Sequence, residues 1–177
     1  MSIFSRDHID LYYEVHGSGY PILLFAPGGM RSAIKFWYGS PFNPIEALSK
    51  HFTVIAMDQR NAGLSTAPIA ETDSWATYTS DHIALLDHLE IERCHLMGGC
   101  IGGSYCYGLM QAQPNRISAA VIQQTIGFDN NRHPFYDLFD GRANTLSPKP
   151  ETDGLEQLRS NMYDPGFLFS VDEQIVR

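Results

Sequence analysis

Apolar and polar positions alternate from residue 9 to residue 16. Ile9, Leu11, Tyr13 and Val15 fall on one side, and Asp10, Tyr12, Glu14 and His16 on the other. A period of two is the mark of a half-buried strand, and the short Ile3–Ser5 segment ahead of it is placed to pair as a hairpin. After the turn Gly17-Ser18-Gly19, the run Ile22-Leu23-Leu24-Phe25-Ala26 is continuously apolar, as in a central strand covered on both faces. It opens into Pro27-Gly28-Gly29-Met30, a loop whose glycines let backbone N–H groups approach a ligand. Asn43-Pro44-Ile45-Glu46 carries helix-start signals, an N-cap residue followed by proline and then an acid in the first turn. Phe52 to Met57 reads as a second buried strand. Trp75, Tyr78, His82, Leu86 and Leu89 recur every three or four residues, which predicts an amphipathic helix. Cys94-His95-Leu96-Met97 is short, apolar and bounded, hence a strand. Tyr105 to Gln113 has helical spacing until Pro114 stops it, and Ile117 to Gln123 is one more strand. Strands alternating with helices predict an α/β fold: a mostly parallel sheet with helices on both faces, begun by an antiparallel hairpin.

Between the strand at 94–97 and the helix that follows lie Gly98-Gly99-Cys100-Ile101-Gly102-Gly103. A sharp strand-to-helix turn needs residues without Cβ atoms around a strained central residue, and it needs the helix to pack closely on the strand. The side chain held at the tip is Cys100. A helix N-terminus favours negative charge there, and so favours a thiolate.

Composition narrows the function classes. The 177 residues are 44% hydrophobic and 18% charged, enough for one globular domain. Twelve Lys and Arg stand against 20 Asp and Glu, for a net charge of −8, and no basic run occurs; nucleic acid and anionic membrane are poor partners. The N-terminal Met1–Asp7 stretch has no apolar core of a signal peptide, and no apolar run is long enough to span a bilayer. Cysteines at 94, 100 and 106 have no metal-type spacing and leave one out of any disulfide scheme. A reducing, cytoplasmic setting follows as the expectation, with no metal and no cofactor.

The pattern glycine, any residue, Cys100, any residue, Gly102-Gly103 resembles the nucleophile elbow of the α/β-hydrolases, with cysteine where serine is usual. Asp58-Gln59-Arg60-Asn61-Ala62-Gly63-Leu64-Ser65 resembles that family's D-x-R-G-x-G-x-S loop, with Asn61 at a glycine position. Asparagine tolerates left-handed geometry, so this departure is mild. Pro27-Gly28-Gly29 corresponds to the family's H-G-x loop, with proline for histidine. The resemblance implies an α/β-hydrolase core over residues 1–125 and the start of a helical cap over 126–177. It also implies Cys100 as nucleophile and two oxyanion donors, the N–H of Ile101 and that of Gly29, with Met30 as the substitute for the second. The likeness to Cys-elbow dienelactone hydrolases points to activated esters or lactones, and so to a small acyl substrate as partner.

The family's triad runs nucleophile, acid, histidine along the chain. After Cys100 the only histidine is His133, in an irregular stretch with Asp129, Asp137 and Asp140, and position 124, an acid in some relatives, is Gln124. None completes a triad on spacing. Ser170-Val171-Asp172-Glu173 starts a helix that stops at Arg177. The expectation is therefore a chain ending within the cap, before strands seven and eight, completed by a further segment or by self-association. Two function classes stand open: a hydrolase (or, by the same acyl-enzyme, an acyltransferase) using Cys100, and a non-catalytic ligand-binding protein of the same fold. Other positions read as structural. Cys94 and Cys106 are core thiols, His82 and His95 satisfied core histidines, and Asp58 and Arg60 braces of their loop. Trp75, Tyr78 and Leu86 read as core, while Phe135, Tyr136, Phe139, Phe167 and Phe169 fit an acyl pocket or cap packing equally.

Overall fold

The computed structural model describes residues 2–28, 31–70 and 72–125. The alternation at the N-terminus forms the hairpin β1 (Ser2–Arg6) and β2 (Ile9–His16), antiparallel with Phe4 opposite Leu11. The apolar runs become β3 (Tyr20–Phe25), β4 (Phe52–Met57) and β5 (Cys94–Gly99), and Ile117–Gln123 becomes β6. The helices are α1 (Lys35–Tyr38), α2 (Pro44–Leu48), α3 (Trp75–His88) and α4 (Ile101–Ala112). Asn43 caps α2 as its sequence signals, with Oδ1 accepting from the Ile45 N–H at 3.0 Å. The helix is only five residues long, since Ser49 follows as its C-cap.

Among the described residues six strands form one sheet in the order β1-β2-β4-β3-β5-β6. Strands β4, β3, β5 and β6 are mutually parallel, and the β1–β2 hairpin joins antiparallel to β4. Side chains alternate across the sheet and build two cores. On one face Leu23, Phe25, Ile55 and Leu96 pack with Leu85 and Leu86 of α3 and Tyr105 and Leu109 of α4. On the other, Ile22, Leu24, Val54, Ala56 and Met97 pack with Trp37 of α1 and Ile45 of α2. Continuous apolar runs in β3 and β4 are explained by this double coverage.

Strand β3 connects to β4 on one side, whereas β5 connects to β6 on the other. The order reverses between β3 and β5, and the loops leaving their carboxyl ends diverge. That is where open α/β sheets leave a crevice for ligand. Pro27-Gly28 leaves one side of it and Cys100 the other. Among the described residues no helix is long and apolar enough to cross a membrane.

Two readings from periodicity are corrected. In β2, Tyr12 from the polar side of the alternation is buried in the second core, whereas Val15 from the apolar side is exposed. Trp75 opens α3 but is 56% exposed, whereas Tyr78 is half-buried and Leu86 fully buried. The Trp75 ring tilts against Tyr105 of α4, centroids 5.7 Å apart, so Trp75 packs at the rim of the α3–α4 contact and not inside the core. The expected cap segment, 126–177, lies outside the described residues, together with Asp129, His133, Asp137, Asp140 and the aromatic residues of that stretch.

Candidate active site

The elbow is tighter than six residues. Gly98 and Gly99 end β5, Ile101 already begins α4, and the whole change of direction falls on Cys100, with φ +53° and ψ −119°. A residue with a Cβ seldom occupies this region, and such strain persists only where the surroundings enforce it. Here three glycines do so by close approach. A Cβ on Gly98 would enter the backbone of Gly102 and come within 2.8 Å of the Cys106 sulfur. One on Gly102 would strike the Phe25 carbonyl of β3, and one on Gly103 would meet Thr125 Oγ1 and lie 2.9 Å from Ile122 Cγ2. Helix α4 thus lies directly on β3, β5 and β6, and Cys100 is held where they converge.

The backbone polar groups around Cys100 are divided in a useful way. Its own N–H donates to the Gln123 carbonyl of β6 at 2.9 Å, and its carbonyl accepts from Gly103 at 3.1 Å. The Ile101 N–H is the first of α4 and has no acceptor among the described residues. The Cys100 side chain makes no capping bond to the helix. It is partly exposed, whereas Cys94 and Cys106 are buried. Burial pushes the Cys94 thiol up to about 11 and the Cys106 thiol up to about 12. The three cysteines are therefore chemically distinct, and only Cys100 is presented to solvent.

Across the crevice, Gly28 adopts φ +126°, and its carbonyl accepts from Arg31 at 3.2 Å. Ser32 is fully buried and closes the loop, with Oγ donating to the Ala26 carbonyl at 2.5 Å. Gly29, the second oxyanion donor implied by resemblance, and Met30 lie outside the described residues.

The loop after β4 is a brace. Asp58, buried, accepts from the Ile34 N–H at 2.7 Å with one oxygen and from the Leu64 N–H at 2.8 Å with the other. Burial raises its carboxyl above the usual range, opposed by those two backbone donors. Arg60 makes a two-pronged contact with Asp81 of α3, at 2.7 and 3.0 Å. Asn61 takes φ +58°, and its Oδ1 accepts from Ala67 at 2.8 Å, so the side chain that replaces the usual glycine also closes the turn. Asp58 and Arg60 brace rather than face the crevice. His82 is fully buried against Phe25, ring centroids 4.4 Å apart, and its Nε2 bonds Gln59 Oε1 at 2.7 Å. Desolvation, then the nearby Arg60 charge, depress it to about 3, so it is neutral.

Sequence reading missed three features. The buried Arg60–Asp81 pair joins residues 21 apart, and no short motif records it. Glu14 collects the hydroxyls of Tyr12 at 2.8 Å and Tyr38 at 2.9 Å together with His16 Nε2 at 2.7 Å, tying α1 to β2. Trp37, unremarkable in sequence, is buried and directed at Gly99 beside the elbow. Among the described residues no group of His, Cys, Asp and Glu could hold a metal ion.

Comparison with known proteins agrees with this geometry. A protein of Azorhizobium caulinodans named "Putative carbamate hydrolase RutD" is 37% identical over 113 residues, covering 64% of this chain and 40% of that protein. The enol-lactonase of Burkholderia xenovorans LB400 is 26% identical with a TM-score of 0.59, covering 67% of this chain and 45% of its own. A hydrolase from Pseudomonas aeruginosa shares the fold with a TM-score of 0.69 at 24% identity, over 94% of this chain and 60% of that one. The chain spans less than half the length of the curated relatives it matches. A family model of the alpha/beta hydrolase fold matches residues 21–168. On that match, which takes in most of the chain, the chain belongs to the alpha/beta hydrolase fold family.

Proposed function

We propose that this protein is a hydrolase of activated acyl compounds, an ester, lactone or carbamate, acting through a covalent intermediate on Cys100. The observation that carries the proposal is the placement of Cys100 at φ +53°, partly exposed, beside the uncommitted N–H of Ile101. The Cys100 sulfur adds to the substrate carbonyl carbon, and the carbonyl electron pair moves onto oxygen. The Ile101 N–H receives that oxyanion, joined across the crevice by the Gly29 N–H that the family resemblance assigns. Collapse breaks the bond to the alcohol or amine, which leaves with a proton. Water then attacks the thioester, releasing the acid and restoring the thiol. Names of the relatives, a carbamate hydrolase and an enol-lactonase, support cleavage of a carbonyl–heteroatom bond.

The test is acyl trapping. The full chain is mixed with p-nitrophenyl acetate, and intact and peptide masses are read. Acetylation confined to Cys100 and abolished in Cys100→Ala is expected, with turnover reduced about 10³-fold or more wherever it occurs. An acetyl group on another residue, or full turnover in Cys100→Ala, would refute the assignment. A Gly29→Pro variant deletes one N–H and should slow acylation without changing iodoacetamide alkylation of Cys100.

A further inference from the structure

Three elbow glycines are demanded by packing, but Gly99 is not. Among the described residues, a Cβ built there would meet nothing nearer than Pro27 Cδ and Cγ at 3.9 Å and Trp37 Cη2 at 4.0 Å, which is ordinary van der Waals contact. Its backbone is not left-handed either. Yet Gly99 is buried. A buried glycine that neither its conformation nor any described neighbour requires leaves apolar space about one carbon deep that no described residue fills.

The position of that space follows from strand parity. Gly98 faces α4, so Gly99 faces the opposite side with Met97, which packs with Ala26 and Trp37 in the core beneath α1 and α2. The space therefore lies between the end of β5 and the loop leaving β3, and the next residue is Cys100. Its walls, Pro27 and the Trp37 ring, carry no charge and are held rigid. Pro27 has a fixed φ, and Trp37 is 5% exposed on a helix that Tyr38 anchors to Glu14 at 2.9 Å.

We propose that Gly99 is a specificity-determining residue: its missing side chain leaves a slot, walled by Pro27 and Trp37, for a small apolar substituent of the carbonyl compound attacked by Cys100. The slot rests on the reading of Cys100 as nucleophile for its biological meaning, though not for its existence. One methylene in an apolar pocket changes discrimination about 10- to 200-fold, so filling the slot with a single methyl should act on that scale. The substituent can sit on the acyl part or on the alcohol part, and the two are separable by experiment.

The test compares the wild-type full chain with Gly99→Ala. Melting temperature reports the fold, and iodoacetamide alkylation reports access to Cys100. Acylation is followed by mass with p-nitrophenyl acetate and butyrate for the acyl arm, and with acetates of larger apolar phenols for the alcohol arm. The expected result is a variant that folds, alkylates at Cys100 within about twofold of wild type, and loses about tenfold or more of its preference for the larger group in one arm. The arm affected names the substituent. Failure of Gly99→Ala to fold would show that packing needs the glycine and overturn the slot, as would equal slowing with every reagent or an unchanged preference in both arms. Should the wild type alkylate but accept no ester, the nucleophile reading fails. The slot is then judged on N-butyl iodoacetamide against iodoacetamide, where a tenfold loss of relative rate in Gly99→Ala supports it and an unchanged ratio overturns it.

Discussion

Removing the Asp81 carboxylate should destabilise this fold more than removing a surface charge, and the geometry sets the size. Asp81 is 1% exposed and accepts twice from Arg60, at 2.7 and 3.0 Å, while the Arg60 side chain is itself 6% exposed. The pairing raises Arg60 above its usual range, chiefly through the hydrogen bonds to Asp81. In Asp81→Ala the guanidinium stays buried, with the more exposed Asp73 at 3.4 Å as its remaining carboxylate among the described residues. Breaking one side of a buried pair costs about 3–5 kcal/mol, because a charge is left uncompensated. The Arg6 contact to Asp81, at 3.5 Å with Arg6 33% exposed, adds at most about 1 kcal/mol. Domains hold about 5–15 kcal/mol in all, so the single variant should be marginal. With an m-value of about 2 kcal/mol/M, the urea midpoint should fall by about 1.5–2.5 M. The double variant Arg60→Met, Asp81→Leu removes both charges and should recover at least half of that loss. Urea unfolding followed by far-UV circular dichroism reads all three proteins. A midpoint for Asp81→Ala within about 0.5 M of wild type, or a double variant no better than the single, would refute the reasoning.

Three further outcomes are expected. Native iodoacetamide should label Cys100 well before Cys94 or Cys106, whose thiols are raised to about 11 and about 12 by burial; peptide mapping that finds either buried thiol labelled first would contradict the elbow geometry. His82 is depressed to about 3 in the fold against about 6.5 unfolded, so the unfolded chain binds the extra proton between those values. Its contribution is complete above pH 6.5 and is lost as pH falls toward 3, by up to ~1.4 kcal/mol per unit; urea midpoints at pH 7 and 4.5 should fall less steeply with acid in His82→Gln than in wild type, and parallel slopes would rule this out. Gly63 has φ +56°, and a Cβ there would enter the Asp58 carboxylate, so Gly63→Ala should lose about 1–3 kcal/mol, whereas Asn61→Gly should lose only about the single Ala67 bond, ~1 kcal/mol; thermal melts that reverse this order would show the loop to be held otherwise.

What could be read in the chain was whatever has a short period or a fixed local geometry. The strand at 9–16 reads as alternating although both of its faces meet a core, Leu11 and Tyr13 on one and Tyr12, whose hydroxyl bonds Glu14, on the other; the runs at 22–26 and 52–57 show their double coverage as apolar stretches. Asn43-Pro44 marks a helix start because a cap acts within three residues. The elbow was visible for the same reason, since its constraint lies within the glycines at 98, 102 and 103. Long-range pairings leave no such trace: Asp81 could equally have been one more solvent-facing acid on α3, and Arg60 one more loop cation. Trp75 misled because period 3.6 reports a helix face but not how much of a side chain its neighbour covers: the ring meets Tyr105 and is still mostly exposed. Gly99 is the sharper case. In the string Gly98-Gly99-Cys100-Ile101-Gly102-Gly103 all four glycines look alike, and each would be assigned to turn geometry. The positions of Gly102, Phe25, Thr125, Pro27 and Trp37 around them separate the three that let a helix approach a sheet from the one that no described residue crowds. A motif therefore locates the strained turn on the chain, while the space around it is set by distances to residues that the motif does not contain.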